Sequence, residues 1–274
     1  MTDPVPGDPA VSDSVGPDPV RYEVVNGVAW LTIDRPEARN ALNKAVRDGL
    51  FAAVRRFNAD DGAKVLILTG AGDRAFCAGG DLKEMAEVAL RVPPPDFAPQ
   101  FGRNIQVDKP TIAAVNGTAL GGGTEIALAS DLVVADERAT FGLPEVKRGL
   151  IAAAGGVFRI VDHLPRKVAF ELLFTGDPIS AADAAKWGMI NEVVPDGTSL
   201  EAALALAERI TVNAPLSVQA SKRVAYGVDD GVITAEEPKW TRMFHEVKTL
   251  FRSQDAKEGP LAFAQKRQPV WKAQ

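Results

Sequence analysis

Cysteine is almost absent, with one residue, Cys77, in a chain of 274. A single thiol forms no intramolecular disulfide and no cysteine-rich metal cluster, so the expectation is a reducing, cytoplasmic setting. Histidine is nearly as scarce: His163 and His245 lie far from each other and from any glycine-rich segment, which suggests neither a histidine-rich zinc site nor a serine-histidine relay. No apolar run approaches the roughly 18 residues of a membrane span, and mean hydropathy is -0.03. A formal charge of -5 and a pI of about 5.2 provide no long-range attraction for phosphate backbones, and no basic stripe offsets them. Neither membrane nor nucleic acid is an expected partner, and the chemistry must rest on carboxylates and backbone groups.

The first twenty residues place five prolines among four aspartates with almost no large apolar side chain, a composition that reads as a disordered tail (1–20). It has neither the apolar stretch of a secretory signal nor the arginines of a transit peptide. From Tyr22 the pattern changes to short β-branched runs: Tyr22 to Val25, an Asn26-Gly27 turn, then Val28 to Ile33, an antiparallel hairpin. Leu42, Val46, Leu50, Val54 and Phe57 follow at helical spacing, with Asn40 as a plausible N-cap. Continuous apolar strands at Val65 to Leu68, Ile112 to Val115 and Leu132 to Ala135 alternate with helical patterns, which predicts βαβ crossovers and an α/β fold (core 21–195). Between Met85 and Asp108 the pattern lapses around Pro93-Pro94-Pro95, compatible with a helix-and-loop lid. After a last strand at Ile190 to Val194 the remainder (196–274) reads as helical.

Three segments could carry chemistry. Phe76-Cys77-Ala78-Gly79-Gly80-Asp81-Leu82 joins a buried strand to a helical pattern, where small residues allow close approach and a helix start offers free N–H groups. Asn116-Gly117-Thr118-Ala119-Leu120-Gly121-Gly122-Gly123-Thr124-Glu125 does the same, with Glu125 in the first helical turn. Thr140-Phe141-Gly142-Leu143-Pro144-Glu145 brings a second acid after a short strand. Each alone is ordinary. Together, in a chain poor in histidine, they suggest one site with backbone donors for an oxyanion and two acids for proton transfer.

These motifs resemble the crotonase superfamily, with enoyl-CoA hydratases the nearest branch. Further matches are Arg35-Pro36-Glu37-Ala38-Arg39-Asn40-Ala41-Leu42, Ser130-Asp131-Leu132, and Glu258-Gly259-Pro260-Leu261-Ala262-Phe263-Ala264-Gln265-Lys266-Arg267, so the likeness runs from about Tyr22 to the C-terminus. The resemblance implies a spiral of ββα units with a helical C-terminal region that forms trimers, often paired into hexamers, and covers the active site. It implies an oxyanion hole at the N–H groups of Gly80 and Gly122, and the two hydratase glutamates at Glu125 and Glu145. It further implies a coenzyme A groove at Ala38, Arg39, Ala78, Asp81 and Leu82, with Phe263 and Lys266 at the nucleotide end, in reach of a neighbouring subunit. The implied activity is syn hydration of an enoyl-CoA to a 3-hydroxyacyl-CoA, with no cofactor or metal beyond the coenzyme A thioester that is itself the substrate.

The sequence departs from the family at two points. Ala152-Ala153-Ala154-Gly155-Gly156 stands where many hydratases have Pro-Gly-x-Gly-Gly, and Thr124 stands where cysteine is frequent. Double-bond isomerisation, cleavage of a ring or side chain, a CoA-binding role without turnover, and RNA binding stay open as alternatives. Cys77, His163 and His245 read as structural, and Arg55-Arg56 and Lys222-Arg223 as solvated helix faces.

Overall fold

The computed structural model describes residues 18–87, 92, 99–106, 108–229 and 232–274. Most of the expected tail, and the part of the expected lid at 88–91, 93–98 and 107, lie outside these residues. The opening hairpin pairs β1 (Val20–Val25) with β2 (Val28–Ile33), and β1 begins two residues before Tyr22 because Val20 already packs in the core. Asn26 and Gly27 both take positive φ, 51° and 83°, as a two-residue hairpin turn requires.

A single 3-10 turn at Pro36–Ala38 leads to α1 (Lys44–Ala59). Its cap is Asn43, whose Oδ1 accepts the Val46 N–H at 2.9 Å, and not Asn40. Asn40 is fully buried instead and bonds three backbone groups across the loop. The spiral then turns through β3 (Val65–Gly70), β4 (Ala75–Cys77) and α2 (Leu82–Glu87); β5 (Thr111–Val115), β6 (Thr118–Leu120) and α3 (Gly122–Ala129); and β7 (Leu132–Asp136), β8 (Thr140–Gly142) and α4 (Gly156–His163). α5 (Arg166–Thr175), β9 (Ile179–Ser180), α6 (Ala181–Lys186) and β10 (Glu192–Val194) complete it.

Successive turns deposit one strand in each of two sheets. The larger has the order β1-β2-β3-β5-β7-β10, and the smaller β4-β6-β8-β9. β3 is apolar throughout because both its faces are covered: Leu66 and Leu68 join the core that includes α1 and α3, while Val65 and Ile67 pack with Ala203 and Ala207 on the other face. Those alanines belong to α7 (Ser199–Thr211), the first of the C-terminal helices. α8 (Pro215–Tyr226), a small hairpin of β11 (Val228–Asp229) and β12 (Val232–Ile233), α9 (Glu237–Leu250) and α10 (Gln254–Ala264) follow. The architecture is the α/β spiral of ββα units with a helical C-terminal region. Lys222 is not on a solvated face: it is largely buried, with Nζ 2.7 Å from Asp131 and 2.9 Å from the Lys109 carbonyl. No helix among the described residues is long and apolar enough to cross a membrane.

Candidate active site

Two loops from successive turns of the spiral meet beside α3. Residues 39–42 run along residues 78–81, with the Ala78 N–H donating to the Arg39 carbonyl (3.0 Å), the Leu42 N–H to the Gly79 carbonyl (2.8 Å) and the Asp81 N–H to the Leu42 carbonyl (3.3 Å). In this parallel bridge Leu42 engages the groups on either side of Gly80, so the Gly80 N–H points to the opposite edge. Gly79, at φ 87°, comes so close to the second loop that a Cβ on it would stand 3.3 Å from the Gly122 nitrogen and 2.7 Å from the Leu120 carbonyl oxygen. Gly122 opens α3, where a helix's first N–H groups have no carbonyl from a preceding turn. The two expected donors thus sit on adjacent strands of backbone.

Glu125 lies one turn into α3 and is 6% exposed. Its Oε1 accepts the N–H groups of Ala154 (2.7 Å) and Gly156 (2.9 Å) at the start of α4, so the carboxylate caps that helix. The Ala152-to-Gly156 segment therefore supplies two donors without the family's proline. Glu145, in a 3-10 turn at Pro144–Arg148, reaches the same place: a Cβ on Gly121 would stand 2.9 Å from its Oε1. Its Oε2 is buried and makes no hydrogen bond among the described residues.

The environments of the two acids differ. Burial raises the pKa of Glu125, opposed by the Gly156 and Ala154 N–H groups and by the charge of Arg159. Burial and then the Glu125 charge raise Glu145 to about 8. Glu125 has backbone donors to stabilise a charge and Glu145 Oε2 has none, so a proton held by the pair favours Glu145.

The expected groove residues Ala38, Arg39, Ala78, Asp81 and Leu82 come together along the 39–42 and 78–81 pair. Arg35 braces it through Asp81 (3.2 Å) and the Ala41 carbonyl (2.8 Å). Phe263 and Lys266, at the end of α10, are exposed, and no hydrogen bond or ion pair among the described residues ties them to Ala38 or Arg39. The Arg148 guanidinium covers the Phe263 ring at 4.5 Å. Cys77 is fully buried and its thiol is pushed up to about 12, which leaves it an inert packing residue.

Three contributors escaped the sequence reading. Thr124 is fully buried; its hydroxyl lies 2.8 Å from the Ala119 carbonyl and 2.9 Å from that of Gly142, and accepts the Gly142 N–H at 3.0 Å, fixing the strand that leads to Glu145. Arg159, an arginine inside the apolar stretch of α4, pairs with Glu236 at 2.8 Å. A charged residue on a buried helical face was the available signal. The third is an apolar wall of Leu150, Trp240, Met243, Val247 and Phe251, with Met85, Ile151, Ala153, Phe158 and Phe244 packed on it. It adjoins the site at three places. Met85 Sδ lies beside Gly80, Leu150 bonds the Glu145 carbonyl, and Ala153 precedes a donor to Glu125.

Comparison with known proteins places the chain in one family. The family model described as enoyl-CoA hydratase/isomerase matches residues 23–274. A carnitinyl-CoA dehydratase of Salmonella typhimurium (strain LT2) is 40% identical over 248 residues, which are 88% of this chain and 94% of that one. Among solved structures, a carnitinyl-CoA hydratase from Mycobacterium avium is 62% identical with a TM-score of 0.88, over 94% of this chain and 100% of that one. An enoyl-CoA hydratase from Mycobacterium tuberculosis H37Rv is 42% identical with a TM-score of 0.70, again over 94% and 100%. The chain belongs to the enoyl-CoA hydratase/isomerase family, as a crotonase-family enzyme of acyl-CoA hydration and dehydration.

Proposed function

We propose that this chain is an enoyl-CoA hydratase that adds water syn across the 2,3 double bond of an enoyl-CoA. The observation that carries the reading is a pair of buried acids in unlike environments beside two backbone donors. The thioester carbonyl would accept the Gly80 and Gly122 N–H groups, and the coenzyme A would lie along Ala38, Arg39, Ala78, Asp81 and Leu82. One water sits between the carboxyls. Glu125 takes a proton from it as its oxygen bonds to Cβ, and Glu145 gives its proton to Cα. The electron pair of the double bond passes through an enolate whose charge rests on the thioester oxygen. Donors fixed in advance stabilise that charge more than they stabilise the neutral carbonyl of the ground state. Proton exchange between the two acids and solvent then resets the site.

The same atoms run in reverse dehydrate a 3-hydroxyacyl-CoA, and the carnitinyl-CoA relatives favour that as a second reading. The two differ only in what the acyl tail carries beyond Cβ.

Loss of enoyl absorbance with crotonyl-CoA tests the proposal. The wild type should turn over, and E125Q and E145Q should each fold and lose about 10² to 10⁴ in kcat, the usual worth of a positioned acid or base. A silent wild type, or either variant at wild-type rate, would overturn it.

A further inference from the structure

Three aromatic rings close the apolar wall beside the glutamates. Phe158 stands on α4, and Trp240 and Phe244 lie one turn apart on α9, with ring centroids 4.9 Å (Phe158 to Trp240) and 6.2 Å (Trp240 to Phe244) apart. They adjoin Glu125's donors: a Cβ on Gly155, between Ala154 and Gly156, would stand 3.0 Å from Trp240 and 3.3 Å from Phe158. Aromatic faces in such a place are the usual receptor for a quaternary ammonium group.

Here the faces are already engaged by the chain's own cations. The Arg103 guanidinium covers Trp240 at 4.9 Å and Phe244 at 4.3 Å. Arg159 covers Trp240 at 5.5 Å and Phe158 at 5.7 Å, and Lys239 Nζ lies 5.6 Å from the Phe158 ring centre. Arg159 and Lys239 are each matched by a carboxylate, Glu236 at 2.8 Å and Asp162 at 2.6 Å. Arg103 forms no direct ion pair among the described residues: its Nη1 donates to Gln100 Oε1 at 2.8 Å, its Nε is buried without an acceptor, and Glu237 is the carboxylate whose charge acts on it from farther off.

We propose that Arg103, spread over Trp240 and Phe244 at the acyl wall, determines which tail charge the site accepts. It admits uncharged or carboxylate-ended acyl groups and turns away those that carry a cation beyond Cβ. The inference rests on the reading of the glutamate pair as the place where the acyl group reacts. It separates this chain from a substrate of carnitinyl type, whose tail bears a trimethylammonium group.

The test separates charge from shape. 4-(Trimethylammonio)butanoyl-CoA and 5,5-dimethylhexanoyl-CoA are isosteric, unreactive and differ by one charge, so their Kd values by calorimetry read the tail alone. Wild type should bind the neutral thioester more tightly. R103Q should shrink the Kd ratio by about tenfold, as loss of one charge without a direct ion-pair partner at a protein's effective dielectric implies, while R103K should hold it within about threefold. A wild-type ratio near one, an unchanged ratio in R103Q, or R103K moving with R103Q would overturn the proposal. If R103Q does not fold, the wild-type and R103K ratios still decide. Binding is read independently of turnover: a silent crotonyl-CoA assay with the ratio intact sinks the hydratase reading and leaves this one standing.

Discussion

Burial, and then the second negative charge that ionisation would place beside Glu125, hold the Glu145 proton on up to about pH 8. In the unfolded chain the same carboxyl titrates near about 4.3. Between those values the folded state binds the extra proton. Its contribution to stability is therefore full below the unfolded pKa and is lost as pH rises through the folded one, at up to about 1.4 kcal/mol per pH unit. Urea unfolding at fixed protein concentration should show the wild type losing stability from pH 5 to pH 9 and E145Q losing distinctly less; parallel curves would mean that Glu145 titrates normally. Thr124 offers a second residue-scale test. Thr124→Val keeps the shape but strands the Gly142 N–H, which should cost about 1 to 3 kcal/mol, and Thr124→Ser should restore most of it in the same unfolding assay. The two acids were legible in the sequence because glycine-rich helix starts and a histidine-poor composition left few other groups for catalysis. Thr124 was not, since nothing in a lone threonine announces that its hydroxyl will bridge two strands.

Between Ile33 and α1 the chain carries two asparagines that look alike in sequence and do different work. Asn43 caps α1 with one bond to Val46, whereas Asn40, at φ 55° and fully buried, accepts the Arg35 N–H at 3.0 Å and donates to the carbonyls of Ala71 (3.0 Å) and Ala75 (2.8 Å). Losing a cap costs about 1 kcal/mol, but losing Asn40 strands several buried groups at about 1 to 3 kcal/mol each. Asn40→Ala should therefore destabilise clearly more than Asn43→Ala, and it should also loosen the 39–42 segment against Gly79 and so raise KM for crotonyl-CoA. Equal thermal shifts for the two variants would remove Asn40 from that role. Helical spacing exposed α1 as an element, yet its start was misplaced because either asparagine satisfies the local pattern and only the tertiary contacts choose. The strands of the larger sheet were likewise legible as apolar runs. The two-to-three-residue strands of the smaller sheet, β4, β6, β8 and β9, are too short to show a period of two.

At the scale of the whole molecule, the C-terminal helices divide by how much they bury. α9 seats Trp240, Met243 and Val247 in the wall beside the glutamates, while no residue of α8 is fully buried. Leu216 is 76% and Val224 83% exposed on α8, in one i, i+4, i+8 stripe with exposed Ala220, and Val212 just before the helix is 83% exposed. A stripe of that kind marks a surface that another molecule covers more often than a surface left to water. The family resemblance implies trimers or hexamers, and we propose that α8 is buried between copies of this chain. Light scattering behind size exclusion should then give three or six times the 29.1 kDa of the chain. A double substitution, Leu216→Glu with Val224→Glu, should push the assembly toward monomers, since a specific interface needs about 800 Å² per partner with a desolvated core and two carboxylates there are costly. Crotonyl-CoA turnover measured on those monomers then separates two uses of the assembly. Retained turnover with a raised KM would mean that neighbours contribute to the nucleotide end, where Phe263 and Lys266 stand exposed, whereas an unchanged KM would confine the whole groove to one chain. A wild type that elutes as a 29.1 kDa monomer would leave the α8 stripe without a role in self-association.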